Sequence, residues 1–397
     1  MALPDTSVKV FTSADAGAPV LSGQAGALLA ILNACLLNGF NLKSATSLTA
    51  SSGTATLTAN GHGFKVNQVV LVSGASDPLH NGEKRITAVT TNTITYAVDP
   101  AAAANPTGTI SVKMAPLAWN SPFTGTNLAV YTSASPQSLG MLLRVDDTGT
   151  TNGRVVGYES MTDVNTGTGA FPTAQQIAGG MYWPKSGSAN ANVIPWYIIG
   201  DSRGFYYWSA SYAGPTNNQA YLNGVCTWFG DPILLSSVDA FGTVLSGCSA
   251  DRAAATSFVG ECMSAAPVTT ANASYNPRSF VQTGSAVACW RYPGIFSGGY
   301  SGQGGSAWAG GTLSYPNQPD NGLITTPLYT GNQGNVRAVM PGVYHSPQAL
   351  APAFNHLDLI PGQDALAGRT LQIVRTGQLN LQTPASYLFF DITGPWR

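Results

Sequence analysis

SLTASSGTATLT (residues 47–58), QVVLV (68–72), ITAVT (86–90), TITYAV (93–98) and GTISV (108–112) are short runs of alternating or β-branched residues. Turn signals punctuate them: Gly61-His62-Gly63-Phe64, Gly74-Ala75 and the Asn81-Gly82 dipeptide. Short strands at regular spacing between such turns define a small all-β unit. We place its limits at 45–113, with the linker Asp99–Pro106 near its end.

Working outward, the N-terminal flank begins with VKVFTS (8–13), a short strand broken by Gly17-Ala18-Pro19. Leu28, Leu29, Ile31, Leu32, Cys35 and Leu36 then recur at helical spacing, with Ser22 or Gly23 as the expected cap and Gly39 as the C-terminal stop. Beyond Met114 come candidate strands at 128–131, 141–145, 154–158, 196–199, 204–208, 225–229, 286–290 and 371–374, separated by long Gly/Ser/Thr/Asn loops (148–152, 166–169, 214–219, 297–311). The expected fold is therefore mainly β. A β-sandwich or barrel-like body (1–44 plus 114–397, with room for two subdomains) carries one N-terminal helix and an inserted β module (45–113). Insertions succeed where the host loop's ends meet, so the module's ends are expected to be adjacent and the body to survive its deletion.

Composition narrows the function. Of 397 residues only 17 are Lys or Arg and 18 Asp or Glu, 9% charged with a net charge of -1, against 44% apolar residues and 45 glycines. A nucleic-acid binder needs a cationic excess, and a disordered chain lacks the 8 Trp, 16 Tyr and 14 Phe found here. MALPDTSVKV (1–10) has neither a basic start nor an apolar run, so no secretory signal is expected. The most apolar stretch, 27–37, is too short for the ~20 residues that cross a bilayer. Cys35, Cys226, Cys248, Cys262 and Cys289 lack ligand spacing and are expected as reduced, buried thiols. So neutral a surface favours association, with exposed Trp and Tyr as the adhesive groups and little dependence on salt.

Constellations for chemistry are sparse. The four histidines, His62, His80, His345 and His356, share no motif with a nucleophile or metal ligand. Glutamate occurs three times (Glu83, Glu159, Glu261). A carboxylate pair for glycoside cleavage would be Asp146/Asp147 with Glu159, or Asp201 with Asp231. Turn chemistry accounts for Asp146-Asp147-Thr148-Gly149, Gly200-Asp201 and Gly230-Asp231 more simply. The glycine-rich loop 298–305 lacks the strand–helix setting of a phosphate loop. Trp183, Trp196, Tyr206, Tyr207, Trp208, Trp228 and Trp308 are candidates for a sugar-stacking face, although such residues in strands usually belong to the core. No catalytic, cofactor-binding or metal residue is assigned, and no cofactor is expected.

Ala55–Phe64 (ATLTANGHGF), Asn67–Ala75 (NQVVLVSGA) and Leu79–Gly82 (LHNG) together resemble a β module carried by tail and other structural proteins of tailed bacteriophages. His80 stands where that pattern often has an aromatic. The flanks 8–13, 17–23 and 30–40, WNSPFTGTN (119–127), Arg144–Asp147 and FDITGPWR (390–397) are similar to tailed-phage virion proteins. The resemblance implies a structural component of the virion, in the tail, baseplate or collar. Its partners would be other virion proteins and copies of itself, with neither nucleic acid nor membrane. It would be made in the host cytoplasm and would not be an enzyme. The alternatives are a capsid head-decoration protein and a host-surface glycan-binding module.

Overall fold

The computed structural model describes residues 3–211, 224–251, 274–293, 313–332, 335–348, 350, 353–376 and 386–397. The expected loops 214–219 and 297–311, with Trp308, and also Glu261 and Cys262, lie outside them. The protein is mainly β, with several antiparallel sheets and one helical segment of 12 residues.

The central sheet has seven strands in the order Lys9–Thr12, Trp196–Asp201, Gly204–Ser209, Val225–Gly230, Val244–Ser246, Ser274–Asn276 and Val287–Ala288. WYIIGD, GFYYWS and VCTWFG are buried at every position. Unbroken apolar strands are what a sheet covered on both faces requires. On one face, Phe11, Ile198, Phe205, Tyr207 and Phe229 join the helix, the module and a five-stranded sheet. That second sheet runs Met181–Pro184, Asn152–Tyr158, Leu142–Asp146, Leu128–Ser133 and Trp119–Gly125. On the other face, Tyr197, Ile199, Tyr206, Trp208 and Trp228 meet Leu328, Val374, Leu388 and Phe390 of the C-terminal sheet. Its order is Trp290–Pro293, Thr326–Asn332, Asn335–His345, Ser386–Asp391, Thr370–Thr376 and Leu359–Pro361. Each fully buried large apolar side chain contributes roughly 1.5–3 kcal/mol, so these two interfaces dominate the body's stability. Glycine is required where strands crowd: a Cβ on Gly204 would overlap the Trp228 ring.

The helix begins later than its expected cap. Ala27–Leu32 is α-helical and continues as a π-helical stretch, Asn33–Asn38, ending at Gly39 with φ 69. The N-cap is Gly26, which has no side chain to offer. Asp147 supplies the acceptor instead: its carboxylate takes the N–H groups of Leu28 (2.8 Å) and Leu29 (3.2 Å), while Lys185 Nζ donates to it and to Gln24 O (2.7 Å). Both members of this ion pair are fully buried. Other differences from the reading above follow from pairing: 286–290 divides into Val287–Ala288 and Trp290–Pro293, which belong to different sheets. Cys35, Cys226, Cys248 and Cys289 are all buried. Among the described residues no helix is long and apolar enough to cross a membrane.

In the module, seven strands run in the order Lys43–Ser44, Ser111–Met114, Val69–Ser73, Gly82–Val89, Thr93–Ala97, Thr54–Thr58 and Ser47–Ser51. Its entry and exit strands pair directly, Lys43 with Val112 and Ser44 with Ser111. The module shares a continuous core with the helix and the body. Arg85 adds a polar lock: its Nε donates to Asp5 O (2.6 Å), Nη1 to Asn67 O and Ile392 O (both 2.9 Å), and Nη2 to Val8 O (3.0 Å) and Thr393 O (3.2 Å). Lys9–Glu83 and Lys65–Asp15 ion pairs, each 2.8 Å, flank it.

A shared core and a shared arginine set a different expectation for deletion from the one drawn on the sequence. Removing 45–113 should leave a body that aggregates, because apolar side chains lose their cover. Arg85→Ala should cost at least about 3 kcal/mol, the upper end for one charged hydrogen bond. Arg85→Lys should rescue little, since an ammonium lacks the planar fork. Urea denaturation of the three proteins measures this, and an unchanged midpoint for Arg85→Ala would refute the lock.

Candidate functional site

Each side chain singled out for chemistry has a definite place, and most are engaged. Asp146 accepts from Thr148 N (3.2 Å) and Oγ1 (2.7 Å), a turn as expected. Asp147 instead caps the helix from 119 residues away. Glu159 receives both Arg278 Nε (2.7 Å) and Nη2 (2.6 Å), and that guanidinium lies 4.2 Å above the Phe241 ring. These three carboxylates therefore do not converge on a common space.

Asp201 closes its own hairpin, accepting from Arg203 N (2.8 Å) and Gly204 N (3.0 Å), and binds Arg397 Nε (2.8 Å). Asp231 departs from the turn reading. It takes Ser138 Oγ (2.9 Å), Leu139 N (2.8 Å) and Thr243 Oγ1 (2.6 Å), all from other segments. A buried carboxylate must find several donors, and neighbouring backbone cannot supply them here. Arg397 joins the two by donating to Asp231 O (2.6 Å). Every carboxylate oxygen of this constellation already has at least one protein donor.

For six of the seven aromatic candidates the expectation of exposure is corrected. Trp183, Trp196, Tyr206, Tyr207, Trp208 and Trp228 are all essentially inaccessible. The indole N–H groups of Trp183, Trp196, Trp208 and Trp228 donate to Ser246 O, Pro19 O, Arg375 O and Gly230 O. Tyr206 and Tyr207 hydroxyls donate to Pro341 O and Pro184 O. With faces packed and polar ends satisfied, these residues belong to the core and form no sugar-stacking face.

The histidines are scattered. His62 Nδ1 accepts from Phe64 N (2.9 Å), His80 Nε2 lies 2.8 Å from Ala103 O, and His356 stacks on Trp208 at 4.1 Å. Among the described residues no three His, Cys, Asp or Glu side chains gather as they would around a metal ion.

What the sequence reading missed is an apolar surface built on one buried ion pair. Arg337, only 6% exposed, grips Asp239 in a two-pronged contact (2.5 and 2.8 Å) and donates to Arg278 O (2.7 Å), Phe241 O (2.8 Å) and Asn332 Oδ1 (3.1 Å). The segments it ties together present Leu235 (62% exposed), Val238 (75%), Phe280 (45%), Val281 (60%) and Val336 (46%). Leu235 N bonds to Arg337 O (3.0 Å) and the Gln282 amide to Val238 O (2.8 Å), so the segments are held in register. The apolar run Ile233-Leu234-Leu235 was the available signal. Five outward aliphatic and aromatic groups stand around this rigid base, with the partly exposed Arg278–Glu159 pair in one of the same segments, and such exposed apolar groups are adhesive.

No protein-family model matches the chain, and no curated protein matches it.

Burial sets a pH response. His345 is pushed down to about 4 by burial, and His356 to about 3 by burial first and Arg375 second. Unfolded histidine titrates near 6.5. The unfolded chain therefore takes up protons that the folded chain refuses, so stability is complete above about pH 6.5 and falls as pH drops towards 4. At pH 5 the loss is about 2 kcal/mol for His345, at 1.36 kcal/mol per pH unit. It is smaller for His356, whose residue is partly exposed. The urea midpoint should drop between pH 7.5 and pH 5, and His345→Met should flatten that drop. Equal midpoints in the parent protein would contradict it.

Proposed function

We propose that this chain is a structural component of a tailed-phage virion, in the tail, baseplate or collar. It acts by assembly with other virion proteins and with copies of itself. The observation that carries the reading is the set of exposed apolar side chains around Arg337, on a chain with 9% charged residues. Interfaces are depleted of charge at their centres, and a rigid, salt-bridged base keeps such a surface from collapsing inward. The resemblance of the module to phage β modules supplies the virion context. Engagement of Asp147, Glu159, Asp201 and Asp231 by protein donors favours assembly over hydrolysis. A head-decoration protein is the alternative of the same class. The glycan-binding alternative loses six of the seven aromatics that suggested it.

Sedimentation velocity at low and high salt should show self-association, or association with other virion proteins, that changes little with ionic strength. Val238→Glu with Val281→Glu should weaken it at least tenfold, because a carboxylate in an apolar contact must shed its water. Labelled antibody and electron microscopy of intact particles should place the protein at the tail or neck. A monomer at high concentration, indifferent to every virion protein, would end this reading.

A further inference from the structure

Both side chains of the Lys185–Asp147 pair are wholly inaccessible to solvent. Each residue is also pinned through its backbone. Asp147 N donates to Asn127 O (2.8 Å), Asp147 O accepts from Gly26 N (2.9 Å), and Lys185 N donates to Thr151 O (2.9 Å). Lys185 Nζ touches Asp147 Oδ1 and donates to Gln24 O (2.7 Å). Asp147 Oδ2 is held separately, by the N–H groups of Leu28 (2.8 Å) and Leu29 (3.2 Å). The nitrogen therefore lies against one carboxylate oxygen while two main-chain donors grip the other.

Acyl transfer to nitrogen requires such an arrangement. A charged pair in a dry interior carries a heavy desolvation cost. Passing one proton from Nζ to Oδ1 removes both charges and leaves an amine beside a carboxylic acid. Burial pushes the Asp147 carboxyl up towards that neutral form, against the opposing pull of Lys185 and the two amides. Attack of the Nζ lone pair on Cγ puts negative charge on Oδ2, where the Leu28 and Leu29 N–H groups already point, as donors in an oxyanion hole do. Fixed backbones on both sides provide the high effective concentration on which intramolecular reactions depend.

We propose that Lys185 Nζ and Asp147 Cγ condense into an isopeptide bond in the folded chain. The Nζ–Cγ bond forms, the Cγ–Oδ1 bond breaks, and Oδ1 leaves as water with two of the three ammonium protons. The third proton stays on the amide nitrogen and continues to meet Gln24 O. The new carbonyl oxygen, formerly Oδ2, keeps its bonds from Leu28 and Leu29. No oxidant or other reactant is consumed, and the product buries an amide with its donor and acceptor both engaged in place of two charges. The bond ties the ends of Leu142–Asp146 and Met181–Pro184, strands separated in their sheet by Asn152–Tyr158, and spans 38 residues of chain. It is independent of the assembly reading and of the surface around Arg337.

The test is mass spectrometry of the full chain, incubated in its folded form and then denatured under reducing conditions. The intact mass should equal the sequence mass less one water. Trypsin should fail to cut after Lys185, and fragmentation should show peptide 145–154 joined to peptide 155–203 through Asp147 and Lys185. Lys185→Arg, which keeps a cation but has no primary amine, should retain its full sequence mass. A parent chain still at full sequence mass after prolonged incubation would overturn the proposal. So would a lost water that maps to any other residue, or free peptides 145–154 and 155–185 at their sequence masses. The decisive readout belongs to the parent chain, so the proposal stands or falls even if the variant does not fold.

Discussion

Arg85 directs five N–H bonds at five main-chain carbonyls, drawn from three separate parts of the chain. Carbonyls at Asp5 and Val8 belong to the segment that enters the central sheet, and those at Ile392 and Thr393 follow the strand Ser386–Asp391 of the C-terminal sheet. A guanidinium is the one side chain with enough donors in a plane to hold such a set. Burial lowers its pKa somewhat, Asp5 and Asp391 oppose this, and the group remains a cation. Because its partners are carbonyls, the charge is spread over dipoles rather than cancelled by one neighbour. The module is consequently part of the framework that sets how the two ends of the chain approach each other.

The same economy of charge runs through the interior. Asp147–Lys185, Asp239–Arg337 and Asp201–Arg397 are buried or nearly so. Each pair also engages main-chain groups, the helix amides at Asp147 and the carbonyls of Arg278 and Phe241 at Arg337. A buried pair contributes little net stability unless its remaining donors and acceptors are satisfied. Here they bridge segments more than 90 residues apart in the case of Arg337 and Asp239. With so few charged residues, several of them spent inside, the surface is left neutral. That surplus of neutral surface is the physical basis of the assembly reading.

The aromatic residues show how far patterning reaches. Trp196–Asp201, Gly204–Ser209 and Val225–Gly230 were legible as strands because their apolar runs are short and bounded by turns. That both faces would be covered was not, since it needs two further sheets whose strands lie far away in the chain. Among the strands passed over, Asn335–His345 contains Pro341 and Gly342, residues that speak against a strand locally. It survives because Gly342 takes a positive φ beneath Trp396, where any Cβ would clash.

By itself the sequence determined the β character, the run of small strands at 45–113, the single helix with its apolar stripe, and the shortage of charge. All of these follow from local periodicity, turn residues and counting. Only the tertiary structure decided which donors meet Asp147 and Asp231, and that Arg337 underlies an exposed apolar surface. Those partners lie tens to hundreds of residues apart. Such meetings depend on sheet order and on how layers stack, and neither leaves a mark at short range in the chain.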